Sequence, residues 1–207
     1  EVKPGNEAKP RSVVNFNENW TFQLGDYTEA SSVDFNDEKW RKLNLPHDWS
    51  IEGEFSEDHP AGSGGGALPG GIGWYRKKFH IDKELELRKV FIDFDGVYMN
   101  SEVWINGYYL GKRPYGYISF RYDLTPHLNY GEENTIAVRV DNSLQPNSRW
   151  YSGSGIYRNV WLTIVNPVYV DLWGTFVTTP EVSSQRALVN VATNLKNELS
   201  NNINIQL

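Results

Sequence analysis

Apolar and polar residues alternate along most of this chain in steps of two, the period of a strand with one buried face. Thr135 to Asp141 is the cleanest run: Ile136, Val138 and Val140 share one face, and Ala137, Arg139 and Asp141 the other. Val90-Phe91-Ile92-Asp93-Phe94-Asp95 opens on β-branched and aromatic residues and then alternates. Val103-Trp104-Ile105 runs into Asn106-Gly107, a pair that accepts the positive φ angles of a tight hairpin. Val97 and Met99 alternate with Tyr98 and Asn100, Val160 and Leu162 with Asn159 and Trp161, and Trp74 to Phe79 reads as a further strand. Helical spacing is scarce. Asp34 to Lys42 predicts a turn or two with Asp34 as cap, and Asp123 to Leu128 a single turn with Pro126 at its first position. The pattern predicts an all-β sandwich of antiparallel strands.

Breaks in the pattern divide the chain. Residues 1–11 are polar, carry two prolines and lack a starting Met, which predicts a flexible lead-in. Residues 62–73 are dominated by glycine. They lack the Lys-Ser/Thr ending of a phosphate-binding loop and no helix pattern follows, so a loop rimming a site is expected there. A boundary is expected at Asn166-Pro167, with new strands over Val168 to Asp171 and Ala187 to Asn194 and alternation resuming from Ile203 to Leu207. A natural domain seldom stops within a strand, so residues 167–207 are expected to be the start of a second sandwich and the chain the N-terminal piece of a longer protein.

Composition narrows the chemistry. The chain has 207 residues, 39% of them hydrophobic and 14% aromatic, with a net charge of −6 and no basic block. That balance argues against a nucleic-acid groove or an anionic membrane surface as partner. The absence of cysteine excludes disulfides, thiolate nucleophiles and zinc ribbons within it. His47, His59, His80 and His127 lie far apart without ligand spacing, and Asp93 and Asp95 read as facing solvent or a turn, so no metal or cofactor is expected. The acidic balance and the polar start without Met predict export to the periplasm or the medium.

Ser148 to Leu162 carries the densest chemistry: two arginines, four aromatics and two glycines in a turn that runs into a strand. Trp150 and Tyr151 offer flat apolar faces with polar tips, and Arg149 a fixed fork of donors, which together suit a sugar. The same residues also read as packing that closes one end of a sandwich.

Several segments in order sharpen this. They are Leu45-Pro46-His47-Asp48-Trp49; Gly73-Trp74-Tyr75-Arg76-Lys77; Phe94-Asp95-Gly96-Val97 with Val103-Trp104-Ile105-Asn106-Gly107; Arg113-Pro114-Tyr115-Gly116-Tyr117; and Val138 to Asn142 leading to Ser148 through Arg158. Together the segments resemble the N-terminal sugar-binding domain of glycoside hydrolase family 2, in the form found in bacterial β-galactosidases. The resemblance implies a jelly-roll (galactose-binding-like) β-sandwich over residues 12–166 and an immunoglobulin-like sandwich starting at 167. It also implies a catalytic TIM barrel with two glutamates about 5 Å apart, absent from this chain, so no residue here is expected to be catalytic.

In the family the first domain lends a loop to the sugar subsite. Aligned on Gly155-Ile156-Tyr157-Arg158, the resemblance places that contact at Arg149, with Asn147 and Trp150 beside it, and implies an acidic residue at that place in several relatives. Arg158 is expected to anchor the turn. His47-Asp48-Trp49 is expected to be structural, a strand end pinned by Trp49 and an Asp-capped turn. The expected partners are a carbohydrate, a β-galactoside first, and the remaining domains of the same polypeptide; a homo-oligomer is compatible with both. A glucuronidase or mannosidase of the family, a free-standing carbohydrate-binding module and a sandwich that mediates oligomer contacts remain alternatives.

Overall fold

The computed structural model describes residues 9–206. In chain order the strands are β1 (Arg11–Asn15), β2 (Trp20–Leu24), β3 (Arg41–Leu43), β4 (Gly71–His80), β5 (Lys89–Phe94) and β6 (Ser101–Ile105). β7 (Tyr108–Arg113), β8 (Phe120–Asp123), β9 (Glu133–Asn142), β10 (Val160–Val165), β11 (Val168–Val182) and β12 (Ala187–Asn197) follow. A four-stranded sheet ordered β1-β10-β5-β8 faces a six-stranded sheet ordered β3-β2-β4-β9-β6-β7. The chain crosses repeatedly between the two layers, and neighbours within each pair antiparallel.

The predicted alternation on β9 is realised: Ile136, Val138 and Val140 are fully buried in the one core that joins both sheets. Ile92 and Phe94 of β5 and Leu162 of β10 meet them from the other layer. Burial of each such side chain contributes about 1.5–3 kcal/mol before the loss of chain entropy is counted. This is the jelly-roll β-sandwich expected. β11 and β12 pair only with each other, as a separate antiparallel ladder.

The other face of the six-stranded sheet is also covered. Ala137, expected on a polar face, is buried with Trp74, Ala30 and Trp40. Trp74 stacks on Trp104 with ring centres 5.3 Å apart. At the centre lies Arg76, fully buried. Its guanidinium donates to the carbonyls of Ala30, Ser32 at 2.8 Å, Phe35 at 3.3 Å and Val33 at 3.4 Å, and stands 3.3 Å from Asp37. These carbonyls turn inward to the cation instead of along a helix axis. Of the turns predicted over Asp34 to Lys42, one forms, with the Trp40 N–H donating to the Asp37 carbonyl at 2.9 Å, but no helical turn does, and a 3₁₀ turn sits earlier, at Thr28–Ser31.

Other expectations are also corrected. Val97 to Asn100 is a loop, not a strand: Val97 and Tyr98 are both buried, and the segment meets its neighbours through a single bridge, Tyr98 to Gly155, and scattered bonds such as the Asp141 N–H to the Met99 carbonyl at 2.9 Å, not through a ladder. Arg11 does not belong to a lead-in, since it already pairs with Val165, while residues 1–8 lie outside the described residues. Residues 203–206 form no strand, and Leu207 lies outside the described residues. Asp93 faces neither solvent nor a turn: it pairs with Arg121 at 2.6 Å, and both are largely buried. The single turn at Thr125–His127 does form, with Pro126 inside it.

His47 packs among Phe22 and Tyr75, with Nδ1 2.7 Å from the Tyr75 hydroxyl and Nε2 3.3 Å from Glu52. Burial pushes the His47 pKa down, although Glu52 opposes this. Arg41, donating at 2.6 and 2.7 Å, holds Glu52 down to about 2.

Two outcomes are expected. Arg76→Met leaves the carbonyls of 30–35 and Asp37 without their cation and lowers unfolding free energy by about 3 kcal/mol in urea titration, with Arg76→Lys restoring little of it. The unfolded chain protonates His47 near 6.5 and the folded chain only below that, so the unfolded state binds more protons and the melting temperature falls as pH drops through that value. A second fall spans the ordinary Glu52 value of 4.5 down to about 2. Glu52→Gln shrinks the second fall in a melting series over pH, and an unchanged profile would contradict the assignment.

Candidate functional site

Between β9 and β10 the chain leaves the sandwich as a finger, residues 143–159. Its base is tied to one buried amide. Asn142 Nδ2 donates to the Gly153 carbonyl at 2.9 Å and to Ser154 Oγ at 2.7 Å. Asn142 Oδ1 accepts from Gln145 at 2.8 Å and from Asn147 at 2.7 Å. A second tie comes from Asp48. Its Oδ1 accepts from the backbone N–H groups of Ser50 at 2.9 Å and Ser154 at 2.8 Å, and its Oδ2 accepts the Tyr151 hydroxyl.

The glycines are required where the finger meets this base. A Cβ on Gly153, which sits at φ +70°, would stand 2.5 Å from Asp48 Oδ2. One on Gly155 would stand 2.3 Å from the Tyr75 hydroxyl and 2.7 Å from the His47 carbonyl. Both approaches are closer than any side-chain carbon tolerates. Burial, with Asp48 alongside, raises the Tyr151 pKa, so its hydroxyl stays a donor.

The three predicted contact residues differ in what they have left to offer. Asn147 spends its amide on the finger itself: Nδ2 donates to Asn142 and to the Leu144 carbonyl at 3.1 Å, and Oδ1 accepts from Tyr98 at 3.1 Å. Trp150 is 78% exposed. Arg149 is exposed, and its guanidinium makes no hydrogen bond or ion pair among the described residues. It carries five donors and no acceptor. Arg158 is exposed, and its Cδ lies over Gly96, 2.8 Å from where a Cβ there would stand.

The glycine-rich segment backs the finger. A Cβ on Gly64 would lie 3.7 Å from the Arg149 backbone, and one on Gly66 3.8 Å from the Tyr151 ring. The space left between the two loops is about 20 Å³, room for a water but not for a sugar ring. The finger therefore presents donors and an indole outward and encloses nothing. It can bind and orient; residues 143–159 carry no carboxylate, and the one at the base of the finger, Asp48, is consumed by three donors. Among the described residues no three His, Asp or Glu side chains gather as a metal site.

Sequence reasoning placed His47-Asp48-Trp49 correctly as structural but missed what Asp48 holds. The Asx turn onto Ser50 is a local signal; Tyr151, at a separation of 103 residues, is not.

Known proteins match this geometry. Residues 67–166 match the family model for the sugar-binding domain of glycosyl hydrolases family 2. The chain is 60% identical over 199 residues to the beta-galactosidase BoGH2A of Bacteroides ovatus, covering 96% of this chain and 23% of that protein. It is 50% identical over 186 residues to a putative beta-glucuronidase of Formosa agariphila, covering 90% of this chain and 18% of that protein. Among solved structures, a beta-glycosidase from Bacteroides vulgatus superposes with a TM-score of 0.87 at 46% identity, over 92% of this chain and 25% of that one. The chain thus spans a quarter or less of the length of these relatives. With the sandwich, the finger and these matches in agreement, the chain belongs to glycoside hydrolase family 2, as its N-terminal sugar-binding domain.

Proposed function

We propose that this chain is the part of a retaining β-galactosidase that carries a finger to the sugar subsite, the two catalytic glutamates lying in another domain of the whole protein. The observation that carries the reading is Arg149: an exposed guanidinium without a partner among the described residues, on a loop pinned at its base by Asn142 and Asp48. Pinning lowers the entropy lost when the guanidinium meets a sugar hydroxyl. Trp150 supplies an apolar face beside it, and Asn147 acts by holding Arg149 in place. The chain alone is expected to hydrolyse nothing.

One observation favours a second reading. A guanidinium pairs with a carboxylate in two parallel hydrogen bonds more strongly than it bonds neutral hydroxyls, and one relative at 50% identity is called a putative beta-glucuronidase. Turnover of nitrophenyl galactoside, glucuronide and mannoside by the full-length protein separates the two. The galactoside is expected to lead by kcat/KM; a lead for the glucuronide would replace the first reading with the second.

In that protein, Arg149→Ala is expected to lower kcat/KM by roughly ten- to a thousand-fold, a loss of about 1.4–4 kcal/mol of transition-state contact, with the melting temperature unchanged. Unchanged kinetics would remove Arg149 from the site. Asp48→Ala is expected to lower both activity and melting temperature, because it releases Ser154, Ser50 and Tyr151 together; full activity in that variant would show that the finger needs no fixed base.

A further inference from the structure

β11 does not run straight beside β12. Val170 pairs with Leu195 and Thr175 with Thr193, so residues 171–174 bulge outward opposite the single residue Asn194. Within the bulge Trp173 holds φ +52°, a left-handed backbone that bulky residues rarely adopt, and its indole is 77% exposed. Strain of this kind persists where the surroundings impose it and gathers at binding sites.

Trp173 borders a hollow of about 310 Å³ on the outward face of the four-stranded sheet. Ligand pockets start at roughly 300 Å³, so the hollow admits a ring the size of one sugar. Trp161 of β10 also lines it, with Nε1 already donating to Asp95 at 2.9 Å and the rest of the indole available. Asp93 beside it accepts from Arg121 Nε at 2.6 Å and Nη2 at 3.0 Å, and from the buried Thr163 hydroxyl at 2.6 Å. Arg121 is steadied over the Phe91 ring at 4.8 Å, and Arg11, which lines the same hollow, reaches the Val170 carbonyl.

Two indoles provide flat apolar faces for the C–H side of a sugar ring. Arg121 Nη1, which Asp93 does not engage, and Asp95 Oδ1 provide a donor and an acceptor for hydroxyls around its edge. The formal charges cancel, Arg11 and Arg121 against Asp93 and Asp95, which favours a neutral sugar over a phosphate or a uronate. None of the residues lining the hollow belongs to the finger. We propose that this hollow is a second carbohydrate site, which holds a neutral sugar unit of a glycan at a place separate from the Arg149 finger.

The test is affinity electrophoresis of the full-length protein through gels containing β-1,4-galactan, xylan or mixed-linkage β-glucan. The wild type is expected to be slowed by at least one of them. Trp173→Ala is expected to weaken that retardation at least ten-fold and Trp173→Tyr to restore much of it, while nitrophenyl galactoside turnover by either variant stays at the wild-type level. Arg149→Ala is expected to lose turnover but keep the retardation, so failure of the finger and failure of this site read out separately. A wild type slowed by none of the three, a Trp173→Ala variant slowed as strongly as wild type, or loss of retardation in Arg149→Ala would each overturn the proposal.

Discussion

The Asp48 carboxylate is the contact on which the working end of this domain depends. It accepts from two backbone N–H groups and one phenol, and those donors come from two segments that no strand pairing joins. A carboxylate bonded in this way is stronger than a neutral acceptor. Two of its three partners are backbone groups, which cannot swing away as side chains do. The finger therefore inherits the rigidity of the sandwich although it is itself irregular chain. Close packing then does the rest: Gly153 and Gly155 let the finger lie against Asp48, His47 and Tyr75 without room for a single added carbon.

Arg76 plays the corresponding part on the opposite face. A cation buried among carbonyls is costly unless most of its donors are used. Here they draw residues 30–35 over Trp74 and Ala137 and turn an outer sheet face into a second small core. The sandwich is thus three layers thick over part of its area.

The strands were legible in the sequence where apolar residues recur at every second position. β9 and β5 read correctly because Ile136, Val138 and Val140 on the one and Ile92 and Phe94 on the other recur at every second position and are buried. Val97 to Asn100 alternates equally well yet forms a loop, since period-two spacing does not record whether a neighbouring strand exists to pair with. Asp34 to Lys42 carried a cap residue and a plausible spacing, but its neighbours' carbonyls had a stronger partner in Arg76, which lies some forty residues later in the chain. Asp93 read as exposed for the same reason: Arg121 and Thr163 reach it only through sheet pairing.

Fold class, the family and the position of the finger follow from the sequence alone, because they rest on alternation, on turn residues and on ordered local motifs, all of which are short-range in the chain. Which of Asn147, Arg149 and Trp150 still has a group to offer was decided only by the tertiary structure. The amide of Asn147 is used by Asn142, Leu144 and Tyr98, while the Arg149 guanidinium has no such partner among the described residues. Availability depends on what else is within hydrogen-bond reach, and that is fixed by packing between segments far apart in sequence.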